Sequence, residues 1–126
     1  SSIIVDGYHV DYAAIRVAKK IMGDRLFCIT DAVTETSTGL YQHTLVGNKY
    51  ESAGTLSGSA LTQIQSIKNL VEHVGVSLDE AIKMCSVYPA KLMQDKHITG
   101  TIAINKKANL LCLSAELAIL NRVINN

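Results

Sequence analysis

The sequence has little excess charge of either sign, and its charged residues are scattered along the chain. Twelve Lys and Arg residues stand against eleven Asp and Glu residues, which gives a formal net charge of +1 over 126 residues. A nucleic-acid groove or a surface for anionic membranes requires clustered basic side chains. We therefore expect no nucleic acid and no membrane among the partners of this chain.

Long apolar runs and targeting signals are also missing from the sequence. Every apolar run is far shorter than the roughly 20 residues that a helix needs to cross a bilayer. The first residues lack the basic and apolar regions of a signal peptide. We therefore expect a cytoplasmic protein, and the 48% share of hydrophobic residues is typical of a chain with a folded core.

Cysteine is scarce, with only three residues in the whole chain. Cys28, Cys85 and Cys112 lie far apart, and each is flanked by apolar neighbours. Disulfide frameworks and zinc clusters need even numbers or close spacing of cysteines. We therefore expect three buried and reduced thiols.

The usual histidine patterns of metal sites are absent as well. His43, His73 and His97 are dispersed, and they form neither His-x-His nor His-Glu-x-x-His. We expect a surface or structural role for all three and no metal site built from this sequence alone.

Residues 3–29 carry the pattern of a strand, a helix and a second strand. The β-branched run at 3–5 and the apolar run at 26–29 are typical of strands buried on both faces of a parallel sheet. Between them, apolar residues recur at helical spacing from Asp11 to Met22, and Gly23 supplies a stop signal. The pattern predicts a βαβ unit.

Further along the chain, the sequence predicts a hairpin and then two helices. Residues 41–51 surround a tight Gly47-Asn48 turn and read as a β-hairpin outside the core. Apolar residues at helical spacing predict a helix from about 60 to 75. Ser77 and Glu80 form a capping box that begins the next helix, which Pro89 interrupts.

The texture of the sequence changes at Gly100. Short apolar runs divided by polar turns predict strands around Ile102 and Ile104, at 110–113 and at 118–124. We assign these residues to a separate small β layer.

The predicted elements are too few to cover one another's apolar surfaces. Two parallel strands with one crossover helix leave open sheet edges and apolar faces that so short a chain can hardly cover. We therefore predict an α/β fold that is part of something larger. Residues 1–99 would be βα units of a barrel or doubly wound sheet, and residues 100–126 would be strands of a small β domain.

Polar residues follow both predicted parallel strands. Catalytic groups of parallel α/β folds sit at the carboxyl ends of strands, so Asp31 and His9 could face one cleft. An acid and an imidazole together suit proton transfer. The alternative is that Asp6 or Asp31 caps a turn and that His9 is a satisfied polar core residue.

The run from Gly54 to Ser59 combines glycine with hydroxyl residues ahead of a predicted helix. The backbone N–H groups of such a loop can hold a sugar hydroxyl or an anion. A glycine loop that ends in a helix cap at Ser59 is the plainer alternative.

Four motifs together resemble one protein family. Residues 6–11, 30–32, 54–59 and 88–90 are similar in order and spacing to the C-terminal third of the N-acetylglucosamine-6-phosphate deacetylases, which belong to the amidohydrolase superfamily. The resemblance implies that residues 1–99 are strands seven and eight of a (β/α)8 TIM barrel with their following helices. It places residues 100–126 in a small β-sandwich domain.

The resemblance also implies an activity and the residues that carry it. The family hydrolyses the acetamide of N-acetylglucosamine 6-phosphate to glucosamine 6-phosphate and acetate. Asp31 matches its catalytic proton shuttle. Two further motifs match its substrate-binding positions, which are Asp6, Gly7, Tyr8 and His9 at a strand end and Leu56, Ser57 and Gly58 in a loop.

Other parts of the family's machinery are expected outside this sequence. The resemblance implies a divalent metal, zinc, bound by residues upstream, and a homodimer in which an arginine reaches the phosphate across the interface. The segment alone is then expected to be inactive. The excursion at 33–52 varies within the family, so it supports no residue-level assignment.

Two alternatives to the deacetylase remain open. Another amidohydrolase, such as a deaminase or a cyclic amidase, could share the strand-end aspartate. A non-catalytic module that completes a partner's fold is the reading from a different class.

Overall fold

The computed structural model describes residues 1–94 and 100–124. Two parallel strands joined by a helix open the chain, namely β1 (Ser2–Ile4), α1 (Tyr12–Met22) and β2 (Phe27–Ile29). In the parallel register Ile3 pairs with Cys28 and Ile4 pairs with Ile29. The predicted βαβ unit is therefore confirmed.

The sequence sets both ends of α1. The Asp11 side chain accepts a 2.7 Å hydrogen bond from the N–H of Ala13, which satisfies one of the unpaired donors of the first turn. Gly23 ends the helix with a positive φ of 58°. Ile15 is fully buried in the hydrophobic core, and burial of such a side chain contributes about 2 kcal/mol.

A three-stranded antiparallel sheet follows, with strands β3 (Thr44–Val46), β4 (Lys49–Ser52) and β5 (Thr55–Ser59) in sequential order. The predicted hairpin of β3 and β4 is confirmed. The prediction of a loop at 54–59 is wrong, because most of that run is β5. Ala53 and Gly54 both have positive φ and form a second tight hairpin turn.

Helix α2 (Gln63–Asn69) continues into a π-helical turn (Leu70–Val74) that ends at Gly75. Thr62 caps α2 by accepting a hydrogen bond from the N–H of Gln65 at 3.1 Å. The alternative prediction that Ser59 caps this helix is therefore wrong. Ser59 belongs to β5, and its hydroxyl donates to the carbonyl of Thr30.

Helices α3 (Leu78–Cys85) and α4 (Val87–Met93) lie end to end. The Ser77 hydroxyl accepts from the N–H of Glu80 at 3.2 Å, which confirms one half of the capping box. The Glu80 carboxylate turns instead to Lys19 and Tyr88. Pro89 lies in the first turn of α4, where its missing N–H costs nothing, so the break falls before it at Ser86.

The last two strands, β6 (Asn109–Leu113) and β7 (Ile119–Ile124), form an antiparallel hairpin. Ile102 and Ile104 lie outside any strand and are 85% and 92% exposed, so the strands predicted there are wrong. A turn in which the N–H of Lys106 donates to the carbonyl of Ala103 takes their place.

One hydrophobic core joins the βαβ unit to the later helices. Its members come from the βαβ unit, from α2 with its π-helical turn and from α3: Val5, Ile15, Leu26, Cys28, Ile67, Leu70, Val74, Ala81 and Met84. None of the helices among the described residues is long and apolar enough to span a membrane.

The three cysteines differ in burial. Cys28 is buried and Cys85 is partly buried, but Cys112 is exposed, so the expected burial of all three is wrong for Cys112. It lies on β6, whose only strand partner among residues 1–94 and 100–124 is β7. The outer edges of that hairpin are consequently unpaired within this part of the chain, and every residue of β7 is exposed.

Candidate active site

The carboxyl ends of β1 and β2 lie at the same edge of the parallel sheet. The register that pairs Ile4 with Ile29 sets Asp6 opposite Asp31 when it is continued past the strand ends. Neighbouring strands are about 4.8 Å apart. The two predicted polar clusters therefore follow neighbouring strands at the same edge of the sheet.

The end of β5 attaches to the same edge. The N–H of Ser59 donates to the carbonyl of Asp31 at 3.0 Å, and the N–H of Val33 donates back to the carbonyl of Ser59 at 3.2 Å. Ser59 also forms an isolated parallel bridge with Ala32. The predicted run of Leu56, Ser57 and Gly58 is thus held beside Asp31.

Gly58 makes this attachment possible because it has no side chain. A Cβ at this position would come within 2.8 Å of both γ-carbons of Val33. The backbone of β5 and the segment after Asp31 therefore approach more closely than any other residue would allow.

Asp6 and His9 form a buried hydrogen-bonded pair. The Asp6 side chain is only 2% exposed, and its Oδ2 lies 2.6 Å from Nδ1 of His9. The other carboxylate oxygen accepts from the backbone N–H groups of Tyr8 and His9, both at 2.9 Å. Asp6 thereby fixes both the turn after β1 and the orientation of the His9 ring.

The electrostatics of Asp6 follow from this geometry. Burial alone would raise the pKa of the Asp6 carboxyl, but the hydrogen bonds from the His9 side chain and from the two backbone N–H groups outweigh it. The pKa of Asp6 is consequently lower than that of an ordinary aspartate. Asp6 is ionised at neutral pH and favours a proton on Nδ1 of His9, which leaves Nε2 for another partner.

Asp31 differs from Asp6 in its exposure and in its backbone conformation. Its side chain is exposed, and its backbone has a positive φ of 50°, which is uncommon for a residue with a side chain. Sparsely populated backbone conformations of this kind concentrate at functional sites. The hydrogen bond from Ser59 holds the Asp31 carbonyl in place while the carboxylate stays accessible.

Tyr8 and Gly7 complete the turn after β1. Tyr8 is 51% exposed, and Nζ of Lys49 lies 5.8 Å from the centroid of its ring. Gly7 has a positive φ of 76°, and a Cβ there would lie 2.9 Å from the ring of Tyr12. The β3–β4 turn therefore reaches back to this part of the site.

A cavity of about 490 Å³ opens next to this turn. Its walls are mostly polar and include Tyr8, Tyr12, Asn48, Gln65 and His73. The cavity lies between the end of β1, the β3–β4 turn and the start of α2. Of the predicted site residues, only Asp6 and Tyr8 line it.

Sequence reasoning missed the position of His43. Its Nδ1 lies 2.9 Å from Oγ of Ser57, one of the predicted substrate-binding residues. No local pattern marks this contact, because it depends on how the hairpin folds over β5. His73, in contrast, stacks on Tyr12 with ring centroids 4.7 Å apart, and His97 lies outside the described residues.

The described residues contain no cluster of metal ligands. Across 1–94 and 100–124, no three His, Cys, Asp or Glu side chains come together to hold a metal ion. The side chains gathered at the site suit proton transfer and hydrogen bonding to a polar ligand.

A known protein family matches the part of the chain that contains these site residues. The model of the amidohydrolase family matches residues 7–125. The chain belongs to the amidohydrolase family. The matched range includes Asp31, His9 and the Ser57–Gly58 run, and therefore nearly all of the site described above.

Three relatives illustrate the similarity. The chain is 34% identical to the N-acetylglucosamine-6-phosphate deacetylase of Haemophilus influenzae, over 99% of this chain and 35% of the relative. It matches the crystal structure of the Pasteurella multocida deacetylase with a TM-score of 0.89 and 38% identity, over 98% of this chain and 35% of that one. A mutant of the Mycobacterium smegmatis deacetylase, solved in complex with N-acetyl-D-glucosamine-6-phosphate, matches with a TM-score of 0.84, 27% identity and the same coverage.

The chain therefore spans about a third of the length of the relatives that it matches. Its mixed α/β fold is that of the corresponding part of these deacetylases.

Proposed function

We propose that this chain is the catalytic C-terminal part of an N-acetylglucosamine-6-phosphate deacetylase. The observation that carries the proposal is the position of the exposed Asp31 at a strand end, where the N–H of Ser59 donates to its backbone carbonyl and so keeps the Ser57–Gly58 run beside it. The similarity to deacetylases over nearly the whole chain adds support. In this proposal residues 1–99 belong to a TIM barrel and residues 100–126 to a small β-sandwich domain.

Asp31 acts as the proton shuttle in the proposed reaction. Water attacks the acetamide carbonyl carbon while the Asp31 carboxylate removes a proton from it. Asp31 then delivers that proton to the amide nitrogen as the C–N bond breaks, because an unprotonated amine is a poor leaving group. The products are acetate and glucosamine 6-phosphate.

The remaining predicted residues bind and orient the sugar phosphate. Nε2 of His9 is left for the substrate because Asp6 holds Nδ1. Tyr8 presents an exposed ring at the same turn. Leu56, Ser57 and Gly58 lie along β5, which the backbone hydrogen bond of Ser59 attaches beside Asp31, and the Ser57 hydroxyl is the group proposed to bind the sugar.

The role of Asp6 in the proposal is indirect. Its two carboxylate oxygens already take part in three hydrogen bonds within the turn at 6–9. We therefore assign Asp6 to positioning His9, with Gly7 providing the turn.

The divalent metal that the family resemblance implies does not fit the described residues of this chain. No cluster of three ligands exists among them, and the resemblance implies that zinc or another ion is held by residues upstream of this segment. We accordingly propose that the deacetylase activity belongs to a longer polypeptide and that the 126-residue segment is inactive by itself.

A homodimer and a cytoplasmic location remain part of the proposal. The homodimer rests on the resemblance to the deacetylases, and a cytoplasmic location agrees with relatives that are named as sugar-phosphate deacetylases. The balanced charge of the chain agrees with a small-molecule substrate rather than nucleic acid or membrane as partner.

Acetate release from N-acetylglucosamine 6-phosphate tests the proposed function. The full-length polypeptide with added zinc should release acetate and form glucosamine 6-phosphate in equal amounts. Hydrolysis of a cyclic amide or release of ammonia, without acetate, would assign the chain to another branch of the amidohydrolases. If the polypeptide neither turned over nor bound the sugar phosphate, the remaining interpretation would be a non-catalytic module that completes a partner's fold.

A further inference from the structure

The segment that leads into the β3–β4 hairpin brings a histidine to the proposed substrate site. His43 is partly buried, and its Nδ1 lies 2.9 Å from Oγ of Ser57. Ser57 lies two residues before Ser59, whose backbone is bonded to Asp31. We propose that His43 is a positioning residue that fixes the Ser57 hydroxyl for a sugar hydroxyl or acetamide group of the substrate, an inference that rests on the proposed function.

The backbone around His43 is fixed by Thr36. The N–H of Thr36 donates to the carbonyl of His43 at 3.1 Å, and the N–H of His43 donates to Oγ1 of Thr36 at the same distance. The Thr36 hydroxyl itself donates to the carbonyl of Tyr41 at 3.2 Å. A residue held by reciprocal hydrogen bonds can place its ring accurately, which an unattached loop residue cannot do.

His43 reaches Ser57 across the middle strand of the sheet. His43 directly precedes β3, Ser57 lies in β5, and β4 runs between them. Residues 50 and 51 of β4 carry an irregularity in their pairing with β5, where Tyr50 pairs with Gly58 and Glu51 with Leu56. Ser57 consequently has no partner residue in that register. Its side chain is paired with the His43 ring instead.

The contact determines what the Ser57 hydroxyl can do. A free serine hydroxyl rotates among several orientations, and ordering it on substrate binding costs entropy. A hydrogen bond to His43 restricts that rotation before the substrate arrives. Such preorganisation strengthens binding of the ground state and the transition state alike, so it acts on KM rather than on kcat.

The test compares variants of the full-length polypeptide in the acetate-release assay. His43→Ala should raise KM about fivefold, the effect of one lost hydrogen bond, with little change in kcat. His43→Asn should restore much of the loss because its amide group can occupy the position of Nδ1. Gln42→Ala, at the exposed neighbouring position in the same segment, is the matched control and should leave both constants unchanged.

A double-mutant cycle shows whether His43 works through Ser57. In a Ser57→Ala background, His43→Ala should have no additional effect on KM. Multiplying effects would overturn the proposal, and so would a KM unchanged by His43→Ala. A lower kcat at constant KM would also overturn it, because that result reports a smaller folded fraction and hence a merely structural contact.

The failure of the proposed function gives a different result. If the unsubstituted polypeptide releases no acetate, the deacetylase assignment falls, and the role of His43 falls with it. If it releases acetate and His43→Ala behaves like Gln42→Ala, the deacetylase stands and only the role of His43 is overturned.

Discussion

At the scale of single residues, Asp6 and His9 form the most constrained part of the candidate site. The Asp6 carboxylate is almost completely buried and takes part in three hydrogen bonds within a turn of four residues. The sequence predicted the position of this turn, since it follows a recognisable strand. The sequence left open whether the Asp6 carboxylate would bind the substrate or the N–H groups of its own turn, because that depends on the orientation of its two oxygens.

The first prediction concerns this pair. Asp6→Asn replaces an acceptor near Nδ1 of His9 with an amide that can also donate, so His9 loses its fixed orientation. We expect KM for the sugar phosphate to rise about tenfold or more, while the folded structure persists because the amide oxygen can still accept from the turn. Steady-state kinetics of the full-length polypeptide with a circular dichroism check measure both effects. A KM equal to that of the unsubstituted polypeptide would show that Asp6 does not position His9.

The sequence could not reveal the contact of His43 with Ser57, although it revealed both strands of the hairpin. The strand pairing follows from alternating residues and the Gly47-Asn48 turn. Which side chains meet across the sheet depends on the irregular pairing of β4 with β5, which leaves Ser57 without a partner residue. The sequence did not predict this pairing because it indicated a loop at 54–59.

At the scale of elements, the junction of β5 with the segment after Asp31 decides the shape of the site. The sequence suggested a loop at 54–59 because Gly and Ser are unusual in strands. The strand forms because Ala53 and Gly54 make a two-residue turn that folds β5 back on β4. Ala in the left-handed region is not the usual signal for such a turn, so the pattern was overlooked.

The second prediction tests the close approach at Gly58. Gly58→Ala would press a methyl group against the γ-carbons of Val33, so overpacking should lower the free energy of unfolding by about 1–3 kcal/mol. Val33→Ala in the same chain opens space and should recover part of the loss. Thermal unfolding of the single and double variants measures this. Equal melting temperatures for Gly58→Ala and the unsubstituted protein would contradict the predicted contact.

The third prediction concerns the contact of α1 with α3 and α4. The Glu80 carboxylate pairs with Lys19 and accepts from the Tyr88 hydroxyl at 2.9 and 3.0 Å. Glu80→Gln should lower the free energy of unfolding by about 1–2 kcal/mol at neutral pH. Asp79→Asn is the matched control, since the side chain of Asp79 is 75% exposed in its pair with Lys83 and exposed pairs contribute little.

The same cluster gives a pH dependence with a definite sign. Burial raises the pKa of Glu80. Its hydrogen bonds with Lys19 and Tyr88 and the nearby positive charges lower the pKa by more than burial raises it, so the net shift is downward. A lowered pKa in the folded state contributes stability that is present above the ordinary carboxyl pKa and is lost as the pH falls through the lowered value. The difference between Glu80→Gln and the unsubstituted protein should therefore shrink in urea titrations below about pH 4. A difference that stays constant into strong acid would contradict this assignment.

At the scale of the whole molecule, many large apolar side chains are exposed. They include Ile21, Leu120 and Ile124 at 71%, 66% and 61%. The sequence predicted such uncovered surfaces from the small number of strands, and the chain spans only about a third of its relatives. In the proposed full-length deacetylase, other elements of the polypeptide would cover these faces.

The fourth prediction follows from these surfaces. The 126-residue chain, prepared alone, should self-associate through its exposed apolar faces and should release no acetate. Light scattering over a range of concentrations, with the acetate assay on the same sample, measures both properties. A stable monomer with native-like thermal unfolding would contradict the view that these faces are normally covered.

The central claim is that Asp31 transfers the proton in an amide hydrolysis, and Asp31→Asn in the full-length polypeptide tests it most directly. Asparagine tolerates the positive φ of this position and keeps its size, so the change removes the carboxylate alone. We predict that kcat for acetate release falls by about 10²–10⁴-fold while binding of N-acetylglucosamine 6-phosphate is retained. Near-normal turnover by Asp31→Asn would contradict the account and would remove Asp31 from the mechanism.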